Sequence, residues 1–252
     1  MTLSIETVKT HRPPRIIIYG TSGIGKSTFG AKAYKPVFIQ TEDGLDAIDV
    51  PHFPLAKDHG DVMGYLRELA TEEHDYHTLV IDSLDWFEKL LQAQVCAENN
   101  VKSIAEIPYG KGYEMALDLW RQYIGALNYL RNKKGMMIVQ IAHAEIKRYE
   151  NPETESYDRF QIKLHHKASA IMEEHADIVL FANHVVAVRK KQEGFKETTK
   201  AIGSGKRVLH TEERPAFKAK NRYDLPAEIP FSKDGSYWKE LVQHIPFYKK
   251  GE

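Results

Sequence analysis

The stretch IIIYGTSGIGKSTFG, residues 16–30, decides the fold of this chain. A short apolar run of three isoleucines and a tyrosine leads directly into a loop of glycines and small polar residues. Residues 20–27 match G-x-x-x-x-G-K-[ST], in which glycines let backbone N–H groups surround a phosphate and the following helix adds its positive end. An apolar strand before the loop and a helical segment after it are the context this motif requires, so the sequence predicts a nucleotide-binding site.

The loop supplies a first set of site residues. We expect Lys26 to reach the β- and γ-phosphates of ATP and the Ser27 hydroxyl to ligate Mg²⁺. Without ATP, we expect the Lys26 side chain to face solvent. The predicted nucleotide contacts are Gly20, Thr21, Ser22, Gly23, Ile24, Gly25, Lys26, Ser27 and Thr28.

The rest of the chain alternates between strand-like and helix-like segments. The apolar runs of strand length are 16–19, 37–39, 79–81, 136–141 and 178–182, and the amphipathic segments are 26–33, 61–71, 83–97 and 114–131. Wholly apolar strands are buried on both faces, as in a parallel sheet covered by helices. The pattern predicts an α/β fold with a doubly wound, mainly parallel sheet. Beyond about residue 182, short β-branched segments with glycine-containing turns predict antiparallel strands on the C-terminal side.

Length and composition limit the organisation and the class of protein. A chain of 252 residues suits one large domain, and we divide it into an N-terminal extension (1–14), a core (15–225) and a tail packed on the core (226–252). No apolar run approaches the roughly 20 residues that span a bilayer, and the N-terminus lacks the apolar centre of a signal peptide. A single cysteine fits a reducing compartment. We therefore expect a cytoplasmic protein without a membrane partner.

Two acidic segments follow predicted strands. TLVIDSLDWF places Asp82 at the end of an apolar strand, where a carboxylate can orient Mg²⁺ through a bound water. We expect that strand beside the phosphate loop; the alternative is that Asp82 only begins a turn before a helix capped by Ser83. VFIQTEDGLDAI places Glu42 and Asp43 after the second strand, where either could orient or deprotonate water.

These segments resemble the RecA-type ATPases. In that family a glutamate at the end of the second strand activates water, which implies a catalytic role for Glu42, and a serine follows the aspartate strand, as in Asp82-Ser83. The next core strand ends in a polar residue that senses the γ-phosphate and leads into a DNA-binding loop. Here MMIVQIAHAEIK ends at His143, where the family usually has glutamine, and Gln140 is the rival. A buried histidine without a catalytic role is the alternative interpretation of His143.

The late basic segment supplies a second part of the resemblance. Residues 187–222 hold eleven Lys/Arg against four Asp/Glu, a net +7 in a chain whose formal net charge is zero. Lys220-Asn221-Arg222-Tyr223 resembles the Lys-Asn-Arg-Phe-Gly signature of the bacterial RadA group and is similar to the Lys-x-x-Lys-Asn-Lys strand of RecA. There, cations of one subunit reach the ATP of its neighbour. Lys218, Lys220 and Arg222 alternate, so a strand would put them on one face; an ordinary solvated basic strand is the alternative.

The order of all these motifs resembles the phage RecA-like recombinases of the Sak-four group of single-strand annealing proteins, over residues 15–226. The resemblance implies an ATPase that uses Mg²⁺, binds single-stranded DNA and forms a homo-oligomer, either a ring or a filament. A single-strand-binding protein is a further candidate partner, and a phage-encoded chain would act in the host cytoplasm. The chain lacks room for the separate terminal domains of RecA, which weakens the expectation of full strand exchange.

Two segments mix the cations and aromatic rings that suit single-stranded nucleic acid. They are 144–167, after the predicted sensor, and 188–207, and the candidate DNA contacts are Lys147, Arg148, Arg159, Lys163, Lys190 and Lys191. Exposed hairpins with solvated charges are the alternative. At the level of function, the alternatives are another P-loop DNA ATPase, such as a helicase loader or packaging motor, and a nucleotide-dependent protein switch without DNA contact.

Overall fold

The computed structural model describes residues 11–153, 155–193 and 196–249, with the side chains of all of these except 186–204. The nine described strands are β1 Arg15–Gly20, β2 Pro36–Gln40, β3 Thr78–Asp82, β4 Met137–Tyr149, β5 Tyr157–Ile162, β6 Ile178–Glu193, β7 Lys196–His210, β8 Lys220–Asn221 and β9 Glu228–Pro230. The six described α-helices are α1 Lys26–Ala31, α2 His59–Thr71, α3 Leu84–Glu98, α4 Lys111–Lys133, α5 His166–His175 and α6 Tyr237–His244.

The strands form one mixed sheet in the order β2-β3-β4-β1-β6-β7-β9. The first five of these strands are parallel, and β7, β8 and β9 pair antiparallel with their neighbours on the C-terminal side. This confirms the predicted α/β fold with a mainly parallel sheet. The strand that ends in Asp82, β3, does not pair with β1, because β4 lies between them. Its end nevertheless lies beside the phosphate loop, as we expected.

Helices cover both faces of the sheet. One apolar core contains Val62 of α2, Phe87 of α3, Trp120 of α4 and Met172 of α5. The opposite core contains Phe29 of α1 and, from α6, Trp238 and Leu241. Each parallel strand is buried on both faces by these two layers, which is why the strands read as unbroken apolar runs.

The C-terminal segment packs against the first helix. The Trp238 indole nitrogen donates a hydrogen bond to the Phe29 carbonyl at 2.9 Å, and the two rings lie 4.4 Å apart. The Tyr237 ring stacks on the Phe29 ring, with the two ring centres 5.3 Å apart. The end of the chain therefore buries the first helix after the phosphate loop.

Two strands run well beyond their apolar cores. Beyond Ile141, β4 continues to Tyr149 because it pairs there with β5, and β6 continues to Glu193 because it pairs with β7. Their extensions mix charged and apolar residues, so the unbroken apolar pattern marked only the first part of each strand. The two hairpins, β4–β5 and β6–β7, carry the segments that the sequence marked as candidate DNA contacts.

Candidate nucleotide-binding site

The phosphate loop connects the end of β1 to the start of α1, and two of its glycines are required by the backbone. A Cβ at Gly20 would lie 2.3 Å from the carbonyl oxygen of Ala182 on the neighbouring strand β6. Gly25, the residue before α1, has a φ of 108°, and a Cβ there would meet the Arg207 guanidinium at 2.7 Å. Glycine is thus needed at one position for the approach of a strand and at the other for a left-handed turn.

Lys26 lies inside the loop and not in solvent. Its side-chain amine donates to the carbonyl oxygens of Gly20 at 3.1 Å and Thr21 at 3.0 Å, and the residue is 7% exposed. The expectation of a solvent-facing lysine is therefore wrong, because the carbonyls at the start of the loop satisfy the amine. Burial lowers the pKa of Lys26, and the nearby carboxylates oppose that shift.

Ser27 and Asp82 meet across the intervening strand. The Ser27 hydroxyl donates to Asp82 Oδ2 at 2.6 Å. Burial raises the pKa of Asp82, and the Ser27 hydrogen bond opposes this shift. A hydroxyl and a carboxylate in contact, beside the phosphate loop, are the oxygen donors that Mg²⁺ prefers, so these residues fit the ion.

Glu42 is fixed to the end of β3 by hydrogen bonds from its neighbours. The Thr41 amide donates to the Asp82 carbonyl at 2.8 Å, and the Thr41 hydroxyl bonds the Ser83 backbone. The Ser83 hydroxyl donates to Glu42 Oε2 at 3.1 Å instead of capping α3. The peptide bond between Asp82 and Ser83 is cis. Asp43 is exposed and lines a different depression, so of the two carboxylates only Glu42 faces the phosphate loop.

His143 lies on β4 beside Gly20 of β1 and is held by Asp85 of α3. Its Nδ1 lies 3.1 Å from both carboxylate oxygens of Asp85, and its backbone amide donates to Asp85 Oδ1 at 3.0 Å. Burial raises the pKa of Asp85, but the hydrogen bonds from His143 outweigh it and the net pKa is lowered. Gln140 is fully buried and accepts a hydrogen bond from the Tyr123 hydroxyl, so it does not reach the site.

A cavity of about 300 Å³ connects these groups. Six predicted loop residues line it, together with the carboxylates and the histidine; they are Ser22, Gly23, Gly25, Lys26, Ser27, Thr28, Glu42, Asp82 and His143. Ile24 points away into the apolar core. The structure therefore gathers residues from four separate segments of sequence around one polar space beside the loop.

Sequence reasoning missed two residues at this site. Asp85 lies in the first turn of α3, where it contacts His143, but an acidic residue near a helix start is also an ordinary feature. Arg207 of β7 donates to the Ile24 carbonyl at 2.8 Å and lies over the Phe231 ring. No local signal marked Arg207, because it contacts a residue far away in the chain.

The candidate DNA contacts differ in their surroundings. Arg148 and Lys163 are exposed on and beside the β4–β5 hairpin, and Lys147 pairs with Glu145 at 2.7 Å. Arg159 is 4% exposed, pairs with Glu213 and donates to the Phe217 carbonyl at 3.2 Å, so our expectation of a surface cation is wrong there. Lys190 and Lys191 lie on β6, and their side chains are outside the described residues.

The three candidate trans cations contact their own chain. Lys218 pairs with Glu173 at 2.9 Å, Lys220 donates to the Glu173 carbonyl at 2.7 Å, and Arg222 lies 3.3 Å from Asp177. The strand that we expected to align them spans only Lys220–Asn221. This strand, β8, pairs with the start of β6, which is level with the start of β1 and about 13 Å from the phosphate loop at the other end of β1.

None of the helices in the described parts of the chain is both long enough and apolar enough to cross a bilayer.

A prophage protein of Bacillus subtilis (strain 168), "SPbeta prophage-derived uncharacterized protein YorG", is 26% identical over 245 residues, covering 94% of this chain and 68% of the relative. "Crystal structure of the RadB recombinase" describes a chain that is 13% identical, with a TM-score of 0.48; the match covers 89% of this chain and 90% of that one.

The family comparison covers most of the described core. The model of the family described as "AAA domain" matches residues 12–223, which include the phosphate loop, Glu42, Asp82 and His143. The chain therefore belongs to the AAA domain family of P-loop NTPases.

Proposed function

We propose that this protein is a RecA-like ATPase of the phage Sak-four type, which uses ATP binding and hydrolysis to grip and release single-stranded DNA during recombination or strand annealing. The AAA domain and the prophage origin in the relative's name support the class. The proposal assigns each group around the 300 Å³ cavity a separate task.

The catalytic tasks follow from the contacts. Lys26, held at the centre of the loop, neutralises the phosphates, and Ser27 and Asp82 hold Mg²⁺, which supplies charge neutralisation to the phosphates when bound. Glu42 orients and deprotonates the attacking water, because its carboxylate faces the cavity and is fixed by Ser83. His143 contacts the γ-phosphate, since Asp85 engages Nδ1 and leaves Nε2 available for the substrate.

One observation carries the link to DNA: a single strand, β4, joins the nucleotide cavity to the β4–β5 hairpin, on and beside which Arg148 and Lys163 are exposed. His143 lines the cavity, and six positions later the same strand ends in the hairpin. The Lys163 amide, just after β5 at the base of the hairpin, donates to the His143 carbonyl at 2.9 Å. A shift of His143 towards a γ-phosphate therefore moves both ends of the hairpin's base, which is how nucleotide state changes the grip on DNA.

The assembly is a homo-oligomer whose sites form between chains. Lys220 and Arg222 lie at the opposite end of β1 from their own phosphate loop, so they can serve only the ATP of a neighbour. A head-to-tail contact of this kind repeats as a ring or a filament. In the proposal Lys218 helps to align this basic segment through its pair with Glu173.

The test is ATP turnover with and without single-stranded DNA. We expect DNA to stimulate turnover. Arg148→Glu with Lys163→Glu should weaken DNA binding and make the slope of log K against log salt concentration shallower by about 0.7 for each lost phosphate contact. Arg67→Glu with Lys102→Glu, on exposed positions elsewhere, is the matched charge control. An ATPase rate that is the same with and without DNA would favour a nucleotide-dependent protein switch. Stimulation by DNA without annealing or strand pairing would favour a helicase loader or packaging motor.

A further inference from the structure

A second polar cavity, of about 340 Å³, lies at the end of the sheet opposite the nucleotide site. Among its lining residues, the charged groups are four arginines and one aspartate: Arg12, Arg15, Arg131, Arg222 and Asp177. The cavity sits where β1 and β6 begin, since the Arg15 amide donates to the Asp177 carboxylate and the Asp177 amide donates to the Arg15 carbonyl. It shares no residue with the phosphate loop.

The cavity holds more positive charge than its aspartate can compensate. The Arg15 and Arg131 side chains are 14% and 11% exposed, and both pair with Asp177, at 2.9 Å and 3.2 Å. Arg222 adds a third contact to the same carboxylate at 3.3 Å. Arg15 also donates to Asn128 Oδ1, and Arg131 donates to the Pro13 carbonyl; both acceptors are neutral and leave the positive charge in place.

Neighbouring groups respond to this positive field. Burial, followed by the charge of Arg15, lowers the pKa of His175 to about 4, so this histidine adds no charge at neutral pH. Burial also lowers the pKa of Lys220, and Arg222 adds to the shift. Buried cations in excess of their counter-charges are costly unless an anion joins them.

We propose that this arginine cavity binds a phosphate group. The planar forks of Arg12, Arg131 and Arg222 can surround a tetrahedral oxyanion with paired hydrogen bonds, while Asp177 keeps Arg15 and Arg131 in place. A volume of 340 Å³ equals that of roughly ten water molecules, enough for phosphate and part of its hydration. The phosphate comes either from a free anion or from the phosphate tail of a nucleotide. The proposal goes beyond the ATPase, and of its arginines only Arg222 is shared with the proposed trans contact.

The test uses the full chain carrying Lys26→Ala, so that the phosphate loop does not contribute. Inorganic phosphate, pyrophosphate and ATP are titrated against chloride at constant ionic strength, and the thermal midpoint is recorded. We expect phosphate near one hundred times its Kd to raise the midpoint by about 5 °C or more. A larger response to ATP than to pyrophosphate assigns the nucleotide tail as the source, and an equal response assigns the free anion.

Variants separate the cavity from general ion effects. Arg12→Gln with Arg222→Gln, both at exposed positions, should weaken phosphate binding about tenfold or more, whereas Arg67→Gln on α2 should leave it unchanged. Asp177→Asn should strengthen phosphate binding instead, because removing the carboxylate frees the arginines for the anion. The rise in thermal midpoint on adding phosphate should therefore be larger than in the parent. A midpoint that responds equally to phosphate and chloride, or identically in the double variant and its parent, overturns the proposal.

Discussion

Arg207 donates a hydrogen bond of 2.8 Å to the carbonyl of Ile24, 183 positions earlier in the chain. The contact joins β7, the second strand of the β6–β7 hairpin, to the turn that shapes the phosphate loop. Because the guanidinium also lies 4.9 Å from the centre of the Phe231 ring, the C-terminal segment holds it in place. The curvature of the loop thus depends on residues that come long after it.

Replacing Arg207 tests this dependence. Arg207→Met should weaken ATP binding about tenfold, because the Ile24 carbonyl loses a charge-assisted hydrogen bond worth about 1.5 to 3 kcal/mol. Arg207→Lys should recover only part of the affinity, since a single amine cannot keep both the carbonyl and the ring contact. Arg67→Met, on the exposed face of α2, is the control, and titration of a fluorescent ATP analogue measures the difference. Equal affinity in Arg207→Met and the parent would contradict the role.

The proposal that Glu42 activates water can be tested by comparing Glu42 with its neighbour Asp43. Glu42→Gln should leave ATP binding intact and lower kcat by roughly 10²-fold or more, because the amide keeps the shape but cannot accept the proton. Asp43→Asn is the matched control and should have a small effect, since Asp43 does not line the cavity. Steady-state turnover and equilibrium ATP binding are the two measurements. The reverse ranking would transfer the role to Asp43.

The Asp85–His143 pair predicts an interaction that a double-mutant cycle measures. Asp85→Asn should lower kcat about tenfold with little change in ATP affinity, because His143 loses the carboxylate that orients it. In a His143→Gln background, which places the glutamine usual in RecA-type proteins there, Asp85→Asn should have little further effect. Additive losses in the double variant would show that Asp85 acts on folding alone and not through His143.

Mixing two inactive variants tests the contact between chains. Arg222→Ala should bind ATP but hydrolyse it poorly, and Lys26→Ala should fail at the phosphate loop. In an equal mixture, about a quarter of head-to-tail interfaces pair an intact loop with an intact Arg222, so activity should return and rise with protein concentration. If the two variants co-assemble and the mixture stays inactive at every ratio, Arg222 does not act on a neighbour's ATP.

Glu88 predicts a pH dependence of stability. Burial raises the pKa of Glu88 from 4.5 to about 7, although the His165 amide donates to both of its oxygens. The folded state therefore holds this proton more tightly than the unfolded chain, so stability falls as pH rises from about 4.5 through about 7. Glu88→Gln should remove roughly 2 to 3 kcal/mol of that fall, measured by urea unfolding at several pH values. Glu98→Gln, exposed on the same helix, should leave the slope unchanged.

Most of the fold could be predicted from short segments of sequence. The phosphate loop, the apolar strands and the amphipathic helices are each encoded by consecutive residues, because backbone geometry gives glycine, apolar runs and helical spacing a local meaning. The order of the strands in the sheet could not be predicted from these segments. Nothing in the segment around Asp82 indicates that β4 lies between its strand, β3, and β1.

By itself, the sequence determined the glycine-rich loop after the first strand, the α/β class of the fold and the choice of Glu42, Asp82 and His143 as candidate site residues. It placed His143 at a strand end, whereas β4 continues to Tyr149. Only the tertiary structure decided that Asp85 holds His143, that Arg207 fixes the loop and that Arg159 is buried. These contacts join residues from different elements. Their energies depend on burial and on partners that folding brings together, so no local pattern contains them.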